Sequence, residues 1–234
     1  MHSITATQNY IILPVTSILF NPCDSPANPN ATIQAPDLNG MVFFENVGIR
    51  FLIFDKRNKS FITQTPLETK SAMYVTHQLN AYEINDDLLV ADMIPYPNDG
   101  PYSEYMYRDF LLANGWLAGV GATRFSLDLS QKQINVKSLI PQPNISIEFP
   151  QINHTYQTKN YSWGYIVQNP YTAGNSILKI NVNDPSGKQN LVYKAKNTMV
   201  VHEPQFLARP DAVDEDDGVL IIRGQDVESE KGKI

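Results

Sequence analysis

The chain has 234 residues, of which 42% are hydrophobic and 18% are charged, and its formal net charge is −6. This acidic balance, with Lys and Arg scattered along the chain, excludes the basic stripe that is typical of nucleic-acid-binding proteins. Cys23 is the single cysteine, which excludes an internal disulfide and favours a reducing, cytoplasmic location. The length and hydrophobic content allow one or two domains with a buried core.

Short segments rich in Val, Ile, Tyr and Phe recur between clusters of Asn, Asp, Gly and Pro, which is typical of β-strands joined by turns. In chain order, the predicted strands are 10–15, 41–44, 49–54, 72–76, 80–84, 88–94, 134–140, 162–167, 176–182, 190–194, 198–202 and 219–223. Polar turns predict two hairpins, one joining 49–54 to 61–62 and one joining 177–182 to 191–193. Such regular short strands favour a sandwich, a barrel or a propeller, and no repeat signature selects among them.

Two segments depart from the strand pattern. In 103–116, Tyr107, Phe110 and Leu111 have helical spacing before Gly115, so a short amphipathic helix is predicted there. Segment 22–37 is rich in Pro and Asn and is predicted to be an irregular loop.

No segment is predicted to target the chain or to span a membrane. The apolar run 11–20 is too short and too polar for a span, and no basic region precedes it. Strands predicted close to both ends, with no closing element, indicate that 1–234 is a single fragment truncated at both ends.

Four histidines are the first candidates for a metal site: His2, His77, His154 and His202. In a β-rich protein a single histidine is more often a hydrogen-bonded structural residue than a ligand, so the surroundings of each must decide.

Four blocks, in order, resemble segments of the carotenoid cleavage oxygenases. They are 1–12 (MHSITATQNYII), 74–83 (YVTHQLNAYE), 147–153 (IEFPQIN) and 203–220 (EPQFLARPDAVDEDDGVL). The third and fourth blocks are most similar to the animal branch, which includes the beta-carotene oxygenases and the retinoid isomerase. Ile4 and Thr76 depart from the pattern, because the family usually has Phe at both positions.

The resemblance implies an all-β, partial seven-bladed β-propeller, with Fe(II) on its axis held by four neutral histidines. Imidazole suits Fe(II), and carboxylates commonly fix the tautomer of a ligand histidine. By this resemblance His2 and His77 are metal ligands, and Glu148 and Glu203 orient ligands. His2 and His77 should then have ring nitrogens within roughly 3–4 Å of each other, and Glu148 should contact His77.

The other two histidines do not match ligand positions. His154 and His202 are interpreted as structural or exposed residues that lie away from the metal. Glu203 should point toward the axis without a partner, since the histidine it would orient is not part of this chain.

By resemblance, the complete protein cleaves a conjugated double bond of an apolar polyene with O₂, whereas this chain alone holds part of the metal site and is expected to be inactive. The polyene resides in membranes, so peripheral membrane association is expected, although no amphipathic basic helix supports it. One alternative is retinyl-ester isomerohydrolysis within the same family. Another is a non-catalytic propeller fragment that binds a lipid or a protein. The oligomeric state is not indicated.

Overall fold

The structure is a computed structural model, and it describes residues 4–20, 41–62, 66–98, 121–141, 145–170, 172–229 and 231–233. The predicted helix at 103–116 and the predicted loop at 22–37 lie outside the described residues. His2 and Cys23 also lie outside them.

Four antiparallel sheets follow one another along the chain, and we call them blades 1 to 4. Blade 1 contains β1 (Thr5–Ala6), β2 (Tyr10–Val15), β5 (Arg50–Asp55), β6 (Ser60–Phe61) and β7 (Leu67–Glu68), and a separate hairpin contains β3 (Ile18–Phe20) and β4 (Met41–Phe43). Blade 2 contains β8 (Tyr74–Glu83), β9 (Leu88–Tyr96), β10 (Thr123–Asp128) and β11 (Gln133–Ser138). Blade 3 contains β12 (Ile147–Ile152), β13 (Trp163–Gln168), β14 (Ser176–Asn181) and β15 (Leu191–Lys194). Blade 4 contains β16 (Met199–Ala208), β17 (Gly218–Asp226) and β18 (Lys231–Lys233).

The first strand of each blade is its inner strand. Strand β8 contacts β1 and β12, and β12 contacts β16, so the four first strands lie side by side. The remaining strands of each sheet follow outward in chain order, which is the radial arrangement of consecutive propeller blades.

Each pair of neighbouring blades encloses a hydrophobic cluster, because central strands bury both of their faces. In β9, Leu89, Ala91 and Met93 pack in the cluster between blades 1 and 2, whereas Val90 and Ile94 pack between blades 2 and 3. Successive side chains of a strand point to opposite faces, so one strand contributes to two cores. A third cluster joins blades 3 and 4.

A buried ion pair lies within the second of these interfaces. Asp92 is fully buried, accepts Nε and Nη2 of Arg124 at 2.9 and 2.8 Å, and accepts the hydroxyl of Tyr161 in blade 3 at 2.8 Å. The guanidinium of Arg124 also lies over the ring of Tyr82. Burial raises the pKa of Tyr161 well above its usual value, and the charge of Asp92 adds to this, so the hydroxyl keeps its proton and donates it.

Most predicted strands are confirmed within a residue or two, and both predicted hairpins pair as expected. The division of 72–84 into two strands is wrong, since β8 runs unbroken through two register shifts that disturb its alternation. Strand β10 was not predicted, although Thr123, Phe125 and Leu127 alternate with polar residues. Among the described residues, no helix is long and apolar enough to cross a bilayer.

Two of the sequence blocks are joined by Glu83. Its carboxylate accepts hydrogen bonds from the hydroxyl of Thr7 and from the backbone and side-chain amides of Asn9, the latter two at 2.7 and 2.8 Å. These bonds tie the turn between β1 and β2 to the end of β8. Thr7, Asn9 and Glu83 therefore hold blades 1 and 2 together at their inner strands.

The bonds to Glu83 predict a pH-dependent contribution to stability. Burial raises the pKa of the Glu83 carboxyl, but the hydrogen bonds from Thr7 and Asn9 outweigh it and the pKa is lowered overall. A lowered folded-state pKa gives stability that is complete above the unfolded-state value of about 4.3 and is lost as the pH falls through the folded-state pKa. Glu83→Gln should cost about 1 kcal/mol at pH 7 in urea unfolding, after screening by solvent is allowed for. The difference in the free energy of unfolding between Glu83→Gln and the wild type should shrink below pH 4. A difference that does not change with pH would contradict this prediction.

Candidate metal centre

The candidate residues lie on inner strands where the regular register is interrupted. Strand β8 shifts register between Val75 and His77, and β12 shifts between Glu148 and Gln151. Strand β16 shifts between Val201 and Pro204, around Glu203. Such bulges re-aim side chains that would otherwise alternate strictly between the two faces of a blade.

His77 and Glu148 are brought together across blades 2 and 3. The Nδ1 atom of His77 lies 2.6 Å from Oε2 of Glu148, and the two side chains are 17% and 5% exposed. The expected contact between these residues, 71 positions apart, is confirmed. Their roles toward a metal stay a prediction.

The chemistry of this pair suits a metal-binding imidazole. A carboxylate at Nδ1 favours the tautomer that carries its proton there, so the lone pair lies on Nε2. Carboxylate–histidine–metal arrangements use this geometry to orient the ring and raise its basicity. The donor set present therefore fits an ion that prefers neutral imidazole, such as Fe(II).

Phe149 follows Glu148 and has an unusual backbone conformation. Its φ is 56°, in the left-handed region that residues with a Cβ rarely adopt. Its ring meets the imidazole of His77 at a centroid distance of 5.3 Å and an interplanar angle of 65°. The strained residue therefore coincides with the bulge of β12, and its ring packs against the imidazole of His77.

This conformation predicts an inverted ranking of two substitutions. Within a strand, a protein with Gly is ordinarily less stable than the same protein with Ala by roughly 0.5–1 kcal/mol. At position 149, Gly relieves the positive φ whereas Ala keeps it, so Phe149→Gly should be more stable than Phe149→Ala by about 1 kcal/mol. Urea unfolding measures both, with Phe206→Gly and Phe206→Ala as a control pair at a buried strand position without positive φ. The same ranking at both positions would show that strain at Phe149 has no energetic consequence.

Glu203 and His202 lie beside each other on β16. Both are exposed, and they line a cavity of about 340 Å³ together with Phe149 and Arg223. Glu203, which we expected to lack a partner, accepts a hydrogen bond from Nε2 of Gln151 at 2.6 Å. His202 is closer to the candidate residues than expected, because the register shift lets both neighbours face one cavity.

The remaining two histidines are His154 and His2. His154 is exposed on a short 3-10 helix, His154–Tyr156, in agreement with the structural interpretation. His2 is outside the described residues, so its approach to His77 stays a prediction. Among the described residues, no three His, Cys, Asp or Glu side chains form a group that could hold a metal ion.

Residues of the fourth block have a structural task that the sequence did not reveal. The carboxylate of Glu215 accepts the backbone amides of Ser162 and Trp163, and its carbonyl accepts Nδ2 of Asn153 at 2.8 Å. Asp216 pairs with Lys179 of β14. Glu215 and Asp216 therefore form a clamp that joins blade 4 to blade 3, and they lie in the turn between β16 and β17.

Comparison with known proteins identifies similar chains. A family model described as RPE65, retinal pigment epithelial membrane protein, matches residues 1–232. Beta,beta-carotene 15,15'-dioxygenase of Gallus gallus is 25% identical over 206 residues, covering 73% of this chain and 38% of that protein. The carotenoid isomerooxygenase of Galleria mellonella is 23% identical over 235 residues, covering 94% of this chain and 43% of that protein. The chain thus spans less than half the length of these relatives.

Two solved structures share the fold. A chimera of apocarotenoid oxygenase and RPE65 has a TM-score of 0.74 at 18% identity, covering 99% of this chain and 46% of the chimera. A cobalt-substituted Synechocystis apocarotenoid oxygenase has a TM-score of 0.73 at 18% identity, covering 98% of this chain and 45% of that one. Carotenoid oxygenases are β-propellers, so the predicted all-β, partial propeller is confirmed.

Proposed function

Because this chain belongs to the RPE65 family of carotenoid oxygenases, we propose that it is part of an Fe(II)-dependent dioxygenase. The complete protein would cleave a conjugated double bond of a carotenoid or apocarotenoid with O₂. The family consists of iron-dependent oxygenases, and the relatives named above include a beta-carotene dioxygenase and a carotenoid isomerooxygenase.

The contact between His77 and Glu148 is the observation that carries the proposal. A buried carboxylate 2.6 Å from one ring nitrogen prepares the other for a metal ion. The four family blocks occur in order, and the two that supply this pair lie on neighbouring inner strands. A hydrogen-bonded structural pair would not need to be placed on the strands that face the propeller axis.

In this proposal each residue has one task. His2 and His77 would hold the iron, which would supply the binding and activation of O₂. Glu148 keeps the proton of His77 on Nδ1, and Phe149 covers the imidazole and keeps water from it. Glu203 would orient a further ligand histidine that is not among these 234 residues. The side-chain amide of Gln151 donates a hydrogen bond to the Glu203 carboxylate and fixes its position.

Two imidazoles are part of a four-imidazole set, so residues 1–234 alone should bind Fe(II) weakly and show no turnover.

The proposed substrate is an apolar polyene, and a protein that takes its substrate from membranes would associate with them peripherally.

The test compares the longest protein encoded by the gene with residues 1–234 alone. We expect stoichiometric iron in the long form and aldehyde or ketone products from a carotenoid, with oxygen from labelled O₂ in the products. Release of retinol from a retinyl ester without O₂ consumption would support the isomerohydrolase instead. Absence of both iron and product would support a binding module.

A further inference from the structure

A buried asparagine on β8 is bound to a turn of blade 3. Asn80 is 6% exposed, and its amide nitrogen donates to the carbonyl oxygens of Tyr156 and Lys159 at 3.0 and 3.1 Å. Its amide oxygen accepts the backbone N–H of Thr158 at 3.0 Å. Both hydrogens and the oxygen of the amide are therefore used, and all three partners are backbone groups of one turn, residues 156–159.

The turn that Asn80 holds contains a strained residue. Thr158 has a φ of 66°, in the left-handed region, and the branched Cβ of Thr makes this conformation especially unfavourable. A residue in such a conformation persists when the surrounding structure over-determines it. Asn80 supplies part of that constraint, because it binds the N–H of Thr158 itself. The position of the turn relative to β8 is therefore closely fixed.

Asn80 also lies at the second of two bulges that flank His77. The first register shift of β8 falls between Val75 and His77, and the second falls between Gln78 and Asn80. At each shift, β8 has a residue that β9 does not match. The place of a bulge matters, because a slip of one residue moves side chains to the opposite face of a strand.

The second bulge decides toward which blade His77 points. Residues three apart in a regular strand point to opposite faces. His77 and Asn80 are three apart, yet both contact blade 3, through Glu148 and through the 156–159 turn. The bulge permits this by placing Leu79 and Asn80 on the same side, and Leu79 indeed packs in the cluster between blades 2 and 3. If the bulge were lost while Asn80 stayed in place, His77 would turn toward blade 1.

We propose that Asn80 is a positioning residue for His77. By fixing β8 to the 156–159 turn, Asn80 holds the second bulge in place, and the bulge keeps Nδ1 of His77 on the carboxylate of Glu148. The neutral amide does this without bringing a further charge into the interior. The inference rests on the proposed function, in which a proton fixed on Nδ1 leaves the lone pair of Nε2 for a metal ion.

The test observes the labelled ring nitrogens of His77 by NMR in the purified chain, without metal and at alkaline pH, with His77→Ala to assign the signals. In the wild type we expect one fixed tautomer with its proton on Nδ1. Asn80→Ala should abolish it, so that both ring nitrogens give the averaged signals expected of the exposed His154. A fixed Nδ1 proton in Asn80→Ala, or averaged signals already in the wild type, would overturn the proposal.

Asn175 provides a matched control. It is 2% exposed, its amide nitrogen donates to the carbonyl oxygen of Val201 at 2.7 Å, and its amide oxygen accepts the N–H of Val201 at 2.8 Å. It thus holds β16 beside the register shift of that strand, instead of β8. Asn175→Ala should lower the unfolding temperature, as Asn80→Ala does, but leave the tautomer of His77 fixed. Averaged His77 signals in Asn175→Ala would make general loss of stability the cause and refute the role of Asn80.

A double variant separates the orientation of His77 from the stability of the turn. Gly adopts a positive φ without strain, so Thr158→Gly added to Asn80→Ala should recover part of the lost stability and keep the protein folded. The bonds between β8 and the turn are still missing, so the His77 signals should stay averaged. Return of the fixed tautomer would show that Asn80 serves only the turn, contrary to the proposal.

The outcome of this test is independent of the activity test, because it uses neither iron nor substrate. A fixed tautomer that is lost in Asn80→Ala, together with a complete protein that binds no iron, would refute the proposed function and leave the positioning role of Asn80 in place.

Discussion

His77→Ala is expected to lower the affinity of the complete protein for iron by more than about 100-fold and to abolish polyene cleavage. Removing an outer carboxylate that orients a ligand typically costs 10–100-fold in metal affinity, and removing the ligand itself costs more. Glu148→Gln should therefore have the smaller effect, about 10–100-fold, because the imidazole remains but its tautomer is no longer imposed. Iron content after dialysis and product formation measure both variants.

Two histidines of the same chain are matched controls for this prediction. His154→Ala and His202→Ala remove exposed imidazoles that no sequence block assigns to the metal. They should retain iron at the wild-type stoichiometry. Full iron content in His77→Ala, or loss of iron in His154→Ala, would contradict the assignment of His77. Loss in His202→Ala alone would instead add a residue of the Glu203 cavity to the metal centre.

Asp92→Asn is expected to lower the free energy of unfolding by about 3–5 kcal/mol, because it leaves the guanidinium of Arg124 in an interior site without its counter-charge. The side chains of Asp92 and Arg124 are 0% and 16% exposed, so water can compensate little. Tyr161 would also lose its carboxylate acceptor, which weakens the contact between blades 2 and 3. Urea unfolding at pH 7 measures the change.

An exposed ion pair and a double variant test whether the uncompensated charge of Arg124 causes the loss of stability in Asp92→Asn. Asp217 pairs with Arg209 near the surface, and Asp217→Asn should change stability little, since exposed ion pairs contribute little. If the loss arises from the uncompensated charge, Asp92→Asn with Arg124→Gln should be less destabilised than the sum of the single variants. Strict additivity, or an equal loss at Asp217, would show that burial of the charge is not the cause.

Most strands whose two faces differ, or whose faces are both strongly apolar, could be predicted from sequence, although the alternating strand β10 was missed. Tyr10–Val15 was predicted with its observed bounds, because Tyr10 and Ile12 alternate with side chains that are less buried. The long strand β8 was divided in two, because its register shifts interrupt the alternation near His77 and Asn80. A bulge depends on the partner strand, so local composition contains no sign of it.

The candidate residues came from the ordered blocks, and their arrangement came from the blade packing. His77 and Glu148 were expected to meet because of the resemblance, whereas spacing alone gives two residues 71 positions apart no reason to converge. The partner of Glu203, the place of His202 and the left-handed backbone of Phe149 were not predicted. Each depends on a register shift or on a side chain from a neighbouring strand.

Alternation between neighbouring residues predicted the all-β class and the hairpins, and the resemblance of the ordered blocks supplied the candidates His77 and Glu148. Which polar residues hold the blades together depends on the tertiary structure. Asp92, Glu83 and Glu215 look alike in sequence, as carboxylates beside apolar strands. Packing makes Asp92 a buried counter-ion, Glu83 a bridge between the inner strands and Glu215 a clamp for blade 4. The contribution of a carboxylate to stability depends on its hydrogen-bond donors and on its burial. Distant segments supply both, and only after the blades have packed.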